Sequence, residues 1–165
     1  MGKVIFKDRK NIYRISIDKK LMDEVYKLCH DALPNETGGI LIGYYTDECN
    51  LAVITEILKA PSDSKGGPTW FYRGTHGVKR RLDTLWKEKR QFYIGEWHYH
   101  PNSSSKLSHQ DIKQMTSISK SRSYNCPEPI LLIVGGNSLS WENSVYVFPK
   151  DRDFIYLKGK PFLNK

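Results

Sequence analysis

The chain has 165 residues, a formal net charge of +8 and 39% hydrophobic residues. This length suits a single domain, and the composition excludes a disordered chain or a small disulfide scaffold. No apolar run approaches the ~20 residues that span a membrane, and the N-terminal residues lack the apolar core of a signal peptide. We therefore expect a cytoplasmic protein.

The first half of the chain shows hydrophobic patterns of both strands and helices. Residues 11–17 alternate like a strand, and Asp18 could cap a helix that ends before Pro34. The apolar stripe of that helix is Leu21, Val25, Leu28 and Ala32. Buried strands are predicted over 39–45 and 51–58, and a loop rich in Pro, Gly and Ser over 60–69.

The second half continues this alternation of strands and helices. A short strand at 70–72 precedes a helix with apolar residues at Val78, Leu82, Leu85 and Trp86. Further strands are predicted over 92–100, 129–134, 139–148 and 153–157, with a third helix after the first of these. Interleaved helices and paired strands predict an α/β fold with a mixed central β-sheet flanked by helices.

Much of the positive charge lies in the helix over 79–90. Such a face could meet an acidic protein or a nucleic acid. Asp83 and Glu88 interrupt it, and no nucleic-acid motif accompanies it. We expect a protein partner, with no membrane or nucleic acid, and the role of the basic helix stays open.

The segment 98–111, HYHPNSSSKLSHQD, combines residues that bind metals. His98 and His100 share one face of a strand, because strand side chains alternate. Ser108 is a good N-cap, which puts Asp111 in the first turn of the next helix. Two imidazoles and one carboxylate leave a fourth zinc position open, as catalytic sites require. By chance this pattern would arise about once in a thousand such chains.

This spacing, His-x-His, seven residues, Ser-x-x-Asp, resembles the signature of the JAMM (JAB/MPN) metalloproteases. The resemblance implies a deaminase-like JAB/MPN sandwich over residues 1–165. It implies one catalytic Zn²⁺ held by His98, His100 and Asp111. It further implies a hydrolase that cuts isopeptide bonds and an oxyanion-type role for Ser108, which binds the metal water or the substrate carbonyl.

A zinc hydrolase also needs a base, and carboxylates outside the ligand set are the candidates. By resemblance this is Glu36, which stands before the apolar strand in NETGGILIGYY as the family glutamate does. Glu96 competes, because it shares strand parity with His98, but it could instead orient a histidine. Glu56 has no motif around it. We expect Trp97 and Tyr99, on the opposite strand face, to belong to the core.

Three other histidines, His30, His76 and His109, are expected to be exposed or structural. Tyr99 departs from the family, which often has Ser or Thr there, but it should point away from the metal. The three cysteines, Cys29, Cys49 and Cys126, form no CxxC pair, and we expect free thiols. None lies near the histidines in sequence, which argues against a Cys-His protease.

The segments GGPTWFYR and GEWHYHP resemble the stand-alone bacterial JAB proteins of CBASS anti-phage operons and related ubiquitin-like conjugation operons. By this resemblance the substrate would be a protein joined through its C-terminus to a lysine. In CBASS that conjugated protein is the cyclic-nucleotide synthase. Two alternatives stay open: a JAMM peptidase that trims a sulfur carrier or pro-protein, and an inactive MPN scaffold that only binds partners.

Overall fold

The computed structural model describes residues 2–46 and 50–160. Over these residues, three helices and ten strands follow one another. They are β1 Lys3–Lys7, β2 Arg14–Asp18, α1 Lys19–Ala32, β3 Thr37–Tyr45, β4 Ala52–Leu58, β5 Lys65–Gly67, β6 Trp70–Tyr72, α2 Val78–Lys89, β7 Phe92–Pro101, α3 His109–Lys120, β8 Ile130–Asn137, β9 Ser140–Val147 and β10 Ile155–Lys160.

Eight of the strands form one sheet that closes on itself, in the order β1-β10-β9-β8-β7-β3-β4-β2. The pairs β2–β4 and β7–β8 are parallel, and the others are antiparallel. The strands β5 and β6 stand apart as a small antiparallel hairpin. The strand β7 lies between β3 and β8, so its backbone is paired on both sides.

The two faces of the sheet bury separate apolar clusters. On one face, Met22, Val25 and Cys29 of α1 pack among strand residues that include Trp97 and Tyr99. On the other face, Leu85 of α2 and Met115 of α3 pack against β3, β7 and β8. Helices thus cover both faces of a mixed sheet, which confirms the predicted α/β class. The closure of the sheet into a barrel was not predicted.

Most predicted elements are present, with three corrections. The loop predicted over 60–69 contains strand β5, because these residues pair with β6. The strand predicted from residue 11 begins at Arg14, since Asp8 accepts backbone hydrogen bonds from Ile12 and Tyr13 and makes a turn there. Asp18 precedes α1, but its side chain makes no capping hydrogen bond.

Two of the three cysteines lie among the described residues, and their thiols are free, as predicted. Cys29 and Cys126 are free and buried, and burial raises the pKa of Cys126 to about 12. Cys49 lies outside the described residues. Over 2–46 and 50–160, no helix is both long and apolar enough to cross a membrane.

Candidate metal centre

The two histidines of the motif lie at the end of β7, on the face predicted from strand alternation. His98 is 6% exposed, and the His100 side chain is 12% exposed. Their neighbours Trp97 and Tyr99 point to the other face and are fully buried. The predicted core role of both aromatic residues is confirmed.

Asp111 is brought to the histidines by the start of α3. Ser108 is the N-cap residue: its hydroxyl accepts a hydrogen bond from the Asp111 amide at 3.1 Å. The Asp111 carboxylate in turn accepts one from the Ser108 amide at 2.8 Å. This reciprocal capping box fixes the direction in which the Asp111 carboxylate points. The predicted cap and first-turn position are both confirmed.

The loop between strand and helix rests on the end of β8. The Gly136 amide donates to the Ser103 carbonyl at 2.8 Å, and the Asn102 amide donates to the Gly136 carbonyl at 2.9 Å. A Cβ on Gly135 would lie 2.4 Å from the Ser103 oxygen, so only glycine permits this approach. The loop therefore has one packed position, which sets the distance from His100 to Asp111.

Hydrogen bonds determine which ring nitrogen each histidine leaves available. His100 Nδ1 lies 3.2 Å from the Ser104 carbonyl, which can only accept, so Nδ1 carries the proton. His98 Nδ1 lies 2.8 Å from Asp111 Oδ1, which also accepts. A neutral imidazole with its proton on Nδ1 keeps a lone pair on Nε2, the usual state of metal-binding histidines.

The surroundings of the two Nε2 atoms suit a cation. His100 Nε2 faces Asp111 Oδ2 at 3.3 Å, two acceptors that attract only if a proton or metal lies between them. His98 Nε2 is buried and has no hydrogen-bond partner among the described residues. Such an atom calls for a specific explanation, and a bound ion is one. The donor set therefore fits a metal.

The distances between the candidate ligand atoms can be compared with those of a tetrahedral zinc site. Two ligands of one tetrahedral zinc at ~2.05 Å lie roughly 3.3 Å apart. The His100–Asp111 distance of 3.3 Å matches this value, whereas His98 Nδ1 and Asp111 Oδ1 are hydrogen-bonded at 2.8 Å. Within 2–46 and 50–160, no group of three or more His, Cys, Asp or Glu is spaced to hold a metal as it stands. His98 contacts Asp111 through Nδ1, whereas the atom that it leaves without a partner is Nε2.

The contacts between Asp111 and the two histidines favour the charged form of the carboxylate. Burial alone would raise the pKa of Asp111, but hydrogen bonds to His100 and His98 hold it well below its usual value. Burial alone would lower the pKa of His100, and the hydrogen bond to Asp111 raises it instead. Asp111 is thus a carboxylate at neutral pH and can act as an anionic ligand.

Glu36 lies beside this cluster. In the β3–β7 register Thr37 pairs with Tyr99 and Gly38 with His98, so one further step puts Glu36 opposite His100. Burial raises the pKa of Glu36, while the charge of His100 partly opposes the shift. The carboxylate is half-buried, and its backbone amide donates to the Gly67 carbonyl at 2.8 Å. Its position suits the predicted base.

The competing candidates are elsewhere. Glu96 is fully buried and forms a two-point ion pair with Arg73, at 2.7 and 2.9 Å. It has neither a free oxygen nor access to solvent, so it does not suit a base. Glu56 pairs with Arg81 of α2 on the surface. His30, His76 and His109 are exposed, as expected.

The hairpin β5–β6 covers one side of the site, a feature that the sequence did not predict. The Phe71 ring meets the His98 ring edge-on, with centroids 6.0 Å apart. A Cβ on Gly38 would lie 2.9 Å from Phe71 and 3.0 Å from His98, so a glycine is needed at this contact. Trp70 and Tyr72 alternate with Phe71 and are 45% and 62% exposed. The hairpin has an inner face on the site and an outer aromatic face.

Comparison with known protein families identifies the family of the chain. Residues 18–144 match the family model described as prokaryotic homologs of the JAB domain. The match covers more than half of the chain and includes Glu36 and the whole His98–Asp111 segment. The chain belongs to the prokaryotic JAB family. The predicted family is confirmed.

Two curated relatives agree with that membership. A protein of Enterobacter hormaechei subsp. hoffmannii (strain UCI 50), named CD-NTase/cGAS isopeptidase, is 38% identical over 148 residues, 89% of this chain and 82% of the relative. A probable metalloprotease, y4qB, of Sinorhizobium fredii (strain NBRC 101917 / NGR234) is 29% identical over 109 residues, 64% of this chain and 66% of that protein. This JAB protein is a hydrolase, and its family implies a metal cofactor.

Solved structures resemble the fold at low sequence identity. A Desulfitobacterium hafniense protein has a TM-score of 0.56 at 18% identity, with 86% of each chain covered. A Salinibacter ruber protein has a TM-score of 0.55 at 19% identity, with 90% of each chain covered. These similarities concern the fold alone.

Proposed function

We propose that this JAB-family protein is a zinc-dependent isopeptidase that detaches a conjugated protein from a lysine. The observation that carries the proposal is the buried cluster of His98, His100 and the Asp111 carboxylate, in which His98 Nε2 has no partner among the described residues, with Glu36 in register beside it. We also propose that residues 1–165 form one JAB/MPN domain of the deaminase-like sandwich type.

His98, His100 and Asp111 would hold the ion. Two imidazoles, one carboxylate and an open position are the ligand set of a catalytic zinc site. Bound zinc would supply Lewis acidity, polarising the scissile carbonyl and lowering the pKa of a bound water to about 7.

Glu36 would move the proton in this reaction. Water adds its oxygen to the carbonyl carbon, the carbon–nitrogen bond to the lysine breaks, and Glu36 carries the water proton to the departing amine. Burial keeps the pKa of Glu36 above its usual value, which makes it a better proton acceptor than an exposed carboxylate.

Ser108 would stabilise the carbonyl oxygen as it gains charge. Its hydroxyl oxygen already accepts from the Asp111 amide, so the hydroxyl proton remains available to donate. The residue is exposed at the start of α3, where a substrate can reach it. Capping and oxyanion stabilisation are compatible roles for one hydroxyl.

The substrate proposal rests on the Enterobacter hormaechei relative, named for a CD-NTase. We infer that the conjugated protein here is likewise a cyclic-nucleotide synthase, joined through its C-terminus to a lysine. The free thiols of Cys29 and Cys126 are compatible with a reducing cytoplasm, where we expect the reaction.

The test uses two peptides that share the synthase C-terminal sequence. One is joined to the ε-amine of a lysine, and the other continues through an ordinary α-peptide bond. We expect the zinc-loaded protein to cleave the ε-linked peptide and to lose activity with a chelator. Cleavage of the α-linked peptide alone would favour the trimming peptidase. No cleavage of either peptide by protein with stoichiometric zinc would contradict the proposal.

A further inference from the structure

A second buried charged cluster lies next to the metal centre, two residues before His98 in β7. Arg73 and Glu96 are 4% and 0% exposed at their side chains. Arg73 also donates to the Gly74 carbonyl at 2.8 Å and to the Tyr124 hydroxyl at 2.7 Å. Glu96 accepts a further hydrogen bond from the Tyr93 hydroxyl at 2.9 Å. The polar groups of the pair are thus bonded on all sides.

This ion pair joins the hairpin β5–β6 to the strand that carries the histidines. Phe71 meets His98, and Arg73, the residue directly after β6, meets Glu96, two residues earlier in β7 than His98. The end of β6 therefore runs antiparallel over the face of β7, with alternate side chains pointing down onto it. The ion pair and the Phe71–His98 contact together align the end of β6 with β7.

The other strand of the hairpin reaches the candidate base. The Glu36 amide donates to the Gly67 carbonyl of β5 at 2.8 Å. A shift of the hairpin would consequently move both the residue beside His98 and the backbone that holds Glu36. Catalysis is sensitive to such shifts, and a displacement of ~1 Å can cost about 100-fold in rate.

Stability alone explains this ion pair poorly. Taking two charges out of water costs several kcal/mol for each, and an apolar pair of similar volume is often as stable or more so. A two-point arginine–carboxylate pair does, however, define distance and angle, which apolar contacts do not. The ion pair can therefore fix the distance and angle between the hairpin and β7, next to the metal centre.

We propose that Arg73 and Glu96 are positioning residues that hold the β5–β6 hairpin in register over the metal centre, and through it Glu36. This role rests on the proposed isopeptidase function. Neither residue touches the reacting atoms, and neither binds the metal.

The test replaces the charges together, as R73M combined with E96Q, so that no unpaired charge is left buried and Tyr93 keeps an acceptor. Hydrogen exchange and steady-state kinetics are measured on zinc-loaded protein. We expect zinc content to be unchanged, the amides of Glu36 and 65–72 to exchange more than about 10-fold faster, and kcat per bound zinc to fall about 100-fold.

Two further variants make the outcome decisive. Arg73→Lys keeps the charge and one hydrogen bond and should give an intermediate kcat and intermediate exchange, even if the double variant fails to fold. Lys79→Met removes an ion pair that is exposed on α2 and should change neither measurement.

The alternative outcomes are distinct. Unchanged exchange of 65–72 in both Arg73 variants would overturn the proposal, as would faster exchange across the whole chain with kcat per zinc unchanged. If the wild-type protein cleaves neither peptide, the proposed function fails. The exchange of 65–72 and of the Glu36 amide then still decides whether the pair positions the hairpin.

Discussion

Strand β7 carries two buried charged clusters within five residues, and they differ in one respect. Both carboxylate oxygens of Glu96 accept hydrogen bonds, from Arg73 and Tyr93. His98, two residues later on the same face, keeps a buried Nε2 that nothing in the described chain satisfies. The first cluster is complete within the protein, whereas the second requires something more.

The difference shows how to separate a functional carboxylate from a structural one. Sequence parity puts Glu96 and the histidines on one strand face and makes Glu96 a reasonable base. Burial and full hydrogen bonding assign it to the fold instead. Glu36 is only half-buried and has no side-chain ion pair among the residues described, so its carboxylate can reach a water molecule.

The largest effect should come from removing the Asp111 carboxylate. Asp111→Ala leaves both imidazoles without their anionic partner and also removes half of the capping box of α3. We expect the protein to lose zinc and cleavage together, and His98→Ala and His100→Ala to do the same. Elemental analysis and the ε-linked peptide assay measure both losses. Full activity after thorough chelation of the wild type would contradict a metal mechanism.

Glu36→Gln should separate chemistry from metal binding. The substitution keeps size and hydrogen bonding but removes the proton acceptor, so kcat should fall about 10²- to 10⁴-fold with zinc retained. The matched control is Glu56→Gln, since Glu56 lies in the adjacent strand β4 and pairs with Arg81 at the surface. Equal turnover of Glu36→Gln and the wild type would transfer the role of base to another residue.

The parts of the site that the sequence predicted are those with local causes. The shared face of His98 and His100 follows from strand alternation, and the Ser108 cap needs only the first turn of α3. Both are found in the structure. The opposite orientation of Trp97 and Tyr99 follows from the same alternation.

The parts that sequence reasoning missed depend on distant partners. Strand β5 lies in a segment of loop-like composition and exists because β6 pairs with it. The Arg73–Glu96 contact spans 23 residues, and parity could not reveal it. Closure of the sheet likewise depends on β1 pairing with both β2 and β10, contacts that hydrophobic periodicity does not specify.

Removing one partner of the Arg73–Glu96 ion pair tests whether this cluster contributes to stability. Glu96→Ala leaves the Arg73 guanidinium buried without a counter-charge, which should lower the free energy of unfolding by about 3–5 kcal/mol. Urea denaturation measures this loss. Glu96→Gln should cost less, because it keeps an acceptor for Tyr93. A Glu96→Ala variant as stable as the wild type would show that the pair contributes nothing that water cannot replace.

Ser108→Ala should have the smallest effect of these substitutions on the folded protein. Loss of the cap costs about 1 kcal/mol of stability, since the Asp111 amide loses its acceptor. Loss of an oxyanion donor would in addition lower kcat about 10²- to 10³-fold. Ser108→Thr keeps both the hydroxyl and the cap and serves as the control. If Ser108→Ala loses stability but keeps the wild-type kcat, the hydroxyl only caps α3, and the oxyanion role of Ser108 is contradicted.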